Sequence, residues 1–303
     1  MSISRGYSVF FWKLFTGIGL FAAIAYLTVC LFLRLRQAHF MFFPTRTIES
    51  TPADLNLNYE DVWVPVTTRD GTAGGKTEKM HGWWIPAAAP RGVVLHLHGN
   101  GYNVGANLGQ VRRFHQLNYT VLLVDYRGYG WSEGDFPTET RLYQDAEAQW
   151  NYLTQSRRVP PEQVFLFGHS LGGAIAIDLA LRHPEAAGLI VQSSFTRMRA
   201  MVDQLGHYWM FPIDLLLTQR FDSLQKVRSL RLPVLYLHGA ADGYIPPSMS
   251  DQLYDATPQP KWRYFVENGR HNDVAEVGGD RYLEALREFM SRDRAKTSSL
   301  NEL

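Results

Sequence analysis

Val164-Phe-Leu-Phe-Gly-His-Ser-Leu-Gly-Gly173 is the stretch that decides the fold. Val164 to Phe167 are apolar and suit a buried parallel strand, whereas Gly172-Gly-Ala-Ile-Ala-Ile-Asp-Leu-Ala-Leu-Arg-His183 has helical spacing and stops before Pro184. Between them, Gly168-His-Ser-Leu-Gly172 fits a sharp strand-to-helix turn. Such a turn lifts a serine hydroxyl clear of the sheet and tolerates only small neighbours two residues away on either side. Ser170 is therefore expected to be a nucleophile.

The same pattern recurs at Gly130-Trp-Ser-Glu-Gly134. Ser132, however, follows Tyr126-Arg-Gly-Tyr-Gly130 and precedes Gly134-Asp-Phe-Pro137, a loop rich in turn residues. It has neither the strand nor the helix and is read as a turn serine.

Working outward, the chain repeats a strand-then-helix rhythm. Strands are expected at Gly92–Leu97, Thr120–Val124, Val164–Phe167, Gly188–Gln192, Pro233–Leu237 and Trp262–Val266. Helices are expected near Asn103–Leu117, Glu139–Leu153, Gly172–Arg182, Ser248–Ala256 and Gly279–Arg292. This order implies right-handed crossovers and a mostly parallel, doubly wound α/β sheet. Tyr59–Val66 and Met80–Ile85 alternate like antiparallel edge strands joined through the turn region Thr67–Glu78. The roughly forty residues 193–232 exceed one crossover. Their apolar middle, which includes Met198 and Trp209, reads either as a small helical cap over the site or as an ordinary pair of helices on the sheet.

The chain has 303 residues and a formal net charge of +1, with no basic stripe, so nucleic-acid binding has no support. Its single cysteine, Cys30, cannot form an intramolecular disulfide. Leu14 to Leu33 carry no charge, and twenty residues at helical rise cross about 30 Å of hydrocarbon. Tyr7 and Trp12 on one flank and Arg34, Arg36 and His39-Phe-Met-Phe-Phe43 on the other suit a membrane boundary. The expected organisation is a single-pass anchor over 1–43, a linker over 44–58, a catalytic domain over 59–295 with the cap at 193–232, and a tail over 296–303. A signal peptide is the rival, with Ala23-Ile-Ala25 resembling a cleavage site, although the apolar run continues past it. Arg5 and Lys13 nearly balance Arg34, Arg36 and Arg46, so the positive-inside rule gives no orientation.

A serine nucleophile needs a base, and the base needs an acid to hold its tautomer. In this kind of sheet the three follow in the order Ser, Asp or Glu, His. Of ten histidines only His183, His207, His238 and His271 follow Ser170, and only His271 lies beyond every expected strand. Asp242, just after the strand beginning at Pro233, is the expected acid; Asp273 is a weaker neighbour-shell alternative. The oxyanion donors are expected at the Leu171 amide and in His98-Gly-Asn-Gly101, at Asn100 with Gly101 as alternate. Gly101, Tyr102, Met198 and Trp209 are the expected substrate contacts. His96 and His98 lack a third ligand of suitable spacing, so no metal is expected, nor any other cofactor; His98 is read as bracing its turn.

Taken together, His98-Gly-Asn-Gly101, Asp125-Tyr-Arg-Gly-Tyr-Gly130, Gly168-His-Ser-Leu-Gly172, His238-Gly-Ala-Ala-Asp242 and Gly269-Arg-His-Asn-Asp273 resemble the α/β-hydrolase superfamily, and more closely its membrane-anchored, bud-emergence-like branch. That branch often reads His-Gly-Asn-Ala-Gly-Asn where this chain has His98-Gly-Asn-Gly-Tyr-Asn103. The resemblance implies an α/β-hydrolase fold, a structural role for Asp125 at a strand end, and acyl transfer from an ester, thioester or amide through Ser170; a site beside a bilayer under an apolar cap favours a lipophilic ester or thioester of a small-molecule or lipid acyl substrate. The alternatives are a prolyl-peptidase-like serine peptidase and a non-catalytic binding protein of the same fold.

Overall fold

The computed structural model describes residues 3–67 and 76–292, with side chains from Val9 onward. The centre of the expected turn 67–78 and the tail 296–303 lie outside the described residues. The chain begins with a helix, α1 (Ile3–Met41), whose stretch from Val9 is long and apolar enough to cross a membrane and is almost wholly exposed. It runs on past the apolar segment, and its last two turns lie against the remainder of the protein.

Eight strands form one sheet: β1 (Glu60–Thr67), β2 (Thr77–Ile85), β3 (Val93–Leu97), β4 (Thr120–Val124), β5 (Val164–His169), β6 (Gly188–Gln192), β7 (Val234–Gly239) and β8 (Lys261–Val266), in the spatial order β8-β7-β6-β5-β3-β4-β2-β1. β1, β2 and β4 pair antiparallel, and every other pairing is parallel. Burial explains the sequence patterns. β3, β4 and β6 are buried at every residue and read as near-continuous apolar runs, His96, Thr120 and Gln192 excepted, whereas the edge strand β1 alternates between exposed and buried.

Helices cover both faces. α2 (Leu108–Gln116) and α9 (Val274–Met290) place Val111, Phe114, Leu286 and Phe289 against Val94, Phe165 and Phe167. α3 (Glu139–Asn151), α4 (Leu171–Arg182) and α8 (Pro247–Ala256) pack Leu142, Ile175 and Leu253 on the opposite side with Leu95, Leu166 and Val191. Thr138 starts α3, its Oγ1 accepting from the Arg141 N–H. α9 is two helical stretches joined at Gly279, which sits at φ 49°: the expected helix runs on from Gly279, and a short stretch from Val274 precedes it.

The region 193–232 is broken into α5 (Met198–Leu205), α6 (Ile213–Leu216) and α7 (Ser223–Lys226). Gly206 ends α5 in the left-handed region and Pro212 precedes α6. The stretch 44–58, expected as a linker, lies against the domain: Arg46 Nη1 donates to the Ser132 carbonyl at 2.6 Å, Asn103 Nδ2 to the Thr47 carbonyl at 2.6 Å, and Ile48, Leu55 and Leu57 pack on the core. A two-residue parallel bridge joins Phe43-Pro44 to Gly101-Tyr102.

Candidate active site

Strand order reverses between β3 and β5, and open α/β sheets present ligand crevices at the carboxyl ends of the strands flanking such a point. The loop after β3 carries Asn100, and the turn after β5 carries Ser170. Ser170 sits at φ 55° and ψ −118°, a strained conformation for a residue with a side chain. Its backbone is held on both sides: the Ser170 N–H donates to the Gln192 carbonyl at 2.9 Å, and Ser194 Oγ donates to the Ser170 carbonyl at 2.8 Å. A Cβ at Gly168 would collide with the Gly172 carbonyl, and one at Gly172 with the Leu97 carbonyl. The glycine spacing read from the sequence therefore has a steric cause.

Three distant side chains form one hydrogen-bonded line. Ser170 Oγ lies 3.1 Å from His271 Nε2, and His271 Nδ1 lies 2.8 Å from Asp242 Oδ2. The Asp242 Oδ1 atom accepts from the Tyr244 and Ile245 N–H groups at 2.8 and 2.9 Å. Burial pushes its carboxyl up in pKa, but hydrogen bonds from His238, His271 and the Ile245 amide outweigh this and hold it well below the usual carboxylate range. The carboxylate stays ionised, and the proton shared with His271 Nδ1 stays on the ring. Nε2 then faces Ser170 as an acceptor.

Leu171 opens α4, and neither its N–H nor that of Asn100 donates to an acceptor among the described residues. The motif Asp125–Gly130 braces the Asn100 loop: Tyr129 Oη donates to the Asn100 carbonyl at 2.9 Å, Tyr126 Oη to the His98 carbonyl at 3.0 Å, and Asp125 Oδ1 accepts from the Val104 N–H at 2.9 Å. His98 lies beside Asp125 and stays within its own turn, with Nδ1 2.8 Å from the Gly99 carbonyl oxygen; His96 packs instead between Phe114 and Phe167. Ser132, bearer of the second motif, is buried, donating to the Asp125 carbonyl and accepting from the His81 N–H. Asp273 caps its own loop through the Arg270 N–H at 2.5 Å.

A cavity of about 430 Å³ opens beside Ser170. Leu171, Asn100 and Met198 line it, with Met201, Leu205 and Tyr208 among its apolar walls. Gly101 and Tyr102 line an adjoining groove instead. Trp209, expected to contact substrate, is 83 % exposed and lies outside the cavity wall, where Tyr208 stands. Trp209 follows Gly206, where α5 ends in the left-handed region, so it is no longer on the helix that carries Met198, Met201 and Leu205 to the cavity.

Several contacts have no counterpart in the sequence reading. His238 Nε2 stands 3.2 Å from Asp242 Oδ2 and 3.0 Å from the Ile245 carbonyl, and its Nδ1 is 2.6 Å from Ser250 Oγ. The His-Gly-x-x-Asp spacing was the available signal. His169 Nε2 is 3.0 Å from the His271 carbonyl oxygen; burial and the adjacent His271 lower its pKa to about 4, so the neutral ring donates and steadies the loop carrying His271. Finally, Leu33, Gln37, Phe40 and Met41 of α1 form one wall of the cavity.

Comparison with known proteins agrees with this architecture. Residues 88–225 match the family model for serine aminopeptidase, S33. An uncharacterized protein of Mycobacterium tuberculosis is 33% identical over 267 residues, covering 87% of this chain and 90% of its own. Human alpha/beta hydrolase domain-containing protein 17B is 34% identical over 207 residues, covering 66% of this chain and 67% of its own. Among solved structures, an esterase of Pyrococcus furiosus superposes with a TM-score of 0.67 at 21% identity, over 83% of this chain and 97% of that one.

Proposed function

The chain belongs to the α/β-hydrolase superfamily, and on that footing we propose that it is a membrane-anchored serine hydrolase cleaving esters or thioesters of lipophilic acyl groups. The observation that carries the reading is the 3.1 Å approach of Ser170 Oγ to His271 Nε2 beside an apolar cavity.

In the proposed mechanism Oγ attacks the acyl carbon while Nε2 takes its proton. The Leu171 and Asn100 N–H groups hold the oxyanion, and ionised Asp242 stabilises the imidazolium. As the tetrahedral intermediate collapses, the bond to the leaving oxygen or sulfur breaks and Nε2 returns the proton to it. Water then attacks the acyl-enzyme by the same proton route, releasing the acid and restoring Ser170.

Two observations support a lipophilic acyl group and a membrane address. The segment 193–232, acting as a cap, supplies apolar walls to the cavity together with the end of α1. Leu205, Trp209, Met210 and Leu215 of the same segment are exposed, and the segment meets the apolar helix where Tyr26 Oη donates to the Met210 carbonyl at 2.9 Å and the Tyr26 ring stacks on Phe211 at 5.8 Å. Exposed apolar surface beside a membrane-length helix suits a bilayer face.

The S33 family description favours a second reading, an aminopeptidase. An aminopeptidase must pair the substrate's α-ammonium group, and no acidic side chain lines the cavity among the described residues. Esters and thioesters therefore rank first. Hydrolysis of p-nitrophenyl esters of graded chain length, beside acyl thioesters and aminoacyl amides, tests the order. Preference for medium or long acyl chains is the expected result, and preference for aminoacyl amides would reverse the ranking.

A further inference from the structure

Ser170 stands between two cavities of different chemistry. Adjoining the apolar cavity is a groove of about 460 Å³, and Ser170, Asn100, Phe43 and Tyr244 border both. His271 borders the groove and not the apolar cavity. The proton that His271 takes from Ser170 must pass from Nε2 to the departing oxygen, so the alcohol part of an ester leaves on the side where His271 stands. The acyl chain is then left to the apolar cavity.

We propose that this groove is the subsite for the alcohol half of the substrate, and that it takes a neutral, hydroxyl-bearing group of the size of glycerol. The inference rests on the serine-hydrolase reading above. Three features argue for it. The Nε2 of Gln110 is buried with no hydrogen-bond partner among the described residues, although its Oε1 lies 3.2 Å from Tyr282 Oη. An amide donor left unpaired at a cavity wall is stabilised by any ligand that accepts from it. His96, fully buried in the wall of the groove, has neither ring nitrogen paired and, held neutral by burial, offers one donor and one acceptor.

Charge supplies the third. Besides histidines, the ionisable side chains lining the groove among the described residues are the base Arg113 and the acid Glu276; they pair at 3.0 Å, and Arg113 Nη1 also donates to the Gly109 carbonyl at 2.8 Å. His169 is neutral as well. A groove with donors and acceptors but no net charge complements hydroxyl groups. It offers no unpaired cation to a phosphate and no unpaired carboxylate to an ammonium group.

The full-length protein in detergent micelles is assayed for kcat/KM on lauroyl esters of methanol, glycerol and glycerol phosphate. One or two neutral hydrogen bonds to the alcohol correspond to about a tenfold preference for the glyceryl over the methyl ester. The phosphate-bearing ester is expected at or below the glyceryl ester. Gln110→Met should bring the glyceryl-to-methyl ratio towards one. Equal turnover of methyl and glyceryl esters, preference for the phosphate ester, or an unchanged ratio in folded Gln110→Met overturns the subsite while the esterase reading stands. No turnover of any ester overturns both. The wild-type ratio decides by itself where the variant fails to fold.

Discussion

The Asn100 side chain donates to the carbonyl of Met41, the last residue of α1. The proposed oxyanion loop is thus tied to the end of the helix proposed to anchor the protein, and the anchor is also a wall of the cavity. Beside this tie, Gln37 is 8 % exposed; its Oε1 accepts from the Thr218 and Gln219 N–H groups at 2.8 and 3.2 Å, and its Nε2 donates to the Leu216 carbonyl at 3.2 Å. The end of α1, the segment 193–232 and the Asn100 loop form one connected unit.

Gln37→Ala strips partners from two backbone N–H groups and from the Arg34 and Leu216 carbonyls near the cavity. The expected loss is about 2 kcal/mol, read as a Tm lowered by roughly 4–8 °C. Long-chain esters should lose more kcat/KM than short ones, since Gln37, Phe40 and Met41 border the cavity. An unchanged Tm together with an unchanged chain-length profile would contradict the docking role.

Much of the architecture was legible because this sheet is buried on both faces and its strands are written as apolar runs. The elbow was legible because steric collision at Gly168 and Gly172 leaves a pattern, and His271 because chain order filters histidines. The role of α1 at the cavity was not. A membrane-length apolar run reads the same whether or not its last turns dock on a domain, and only Gln37 and His39 mark the change. His39 stacks on Phe136 at 4.2 Å. Trp209 is exposed because α5 ends at Gly206, a break that an apolar composition does not reveal.

His238 is expected to act on Asp242 rather than on substrate. His238→Leu removes its hydrogen bonds to the carboxylate and the Ile245 carbonyl, which loosens the acid against His271. A fall in kcat of about 10–100-fold, with KM little changed, follows from losing a hydrogen bond to a charged group. A KM effect with kcat intact would place His238 in binding instead.

His169 gives a pH signature in stability. Its folded-state pKa, about 4, lies below the ordinary histidine value of 6.5, so the unfolded chain binds its proton first as pH falls. Stability therefore declines as pH drops from about 6.5 to about 4 and levels off below that. Allowing for the ring's partial exposure, the decline amounts to about 2 kcal/mol. Urea unfolding of the wild type and His169→Gln across this window measures it; identical slopes would remove His169 as the cause.

Ser132→Ala separates the two serine motifs. The change leaves the buried His81 N–H without its acceptor and should cost about 1–3 kcal/mol in unfolding free energy. Esterase activity of the folded fraction should persist, because Ser132 lies in a structural turn. Activity lost without loss of stability would assign chemistry to that turn.

Ser170 is the nucleophile in the proposed mechanism. Treating the full-length protein with a fluorophosphonate, digesting it and sequencing the modified peptide by mass spectrometry tests it most directly. The expected result is a single adduct on the peptide containing Ser170, absent in Ser170→Ala and present in Ser132→Ala. An adduct on another serine, or labelling undiminished in Ser170→Ala, would contradict it.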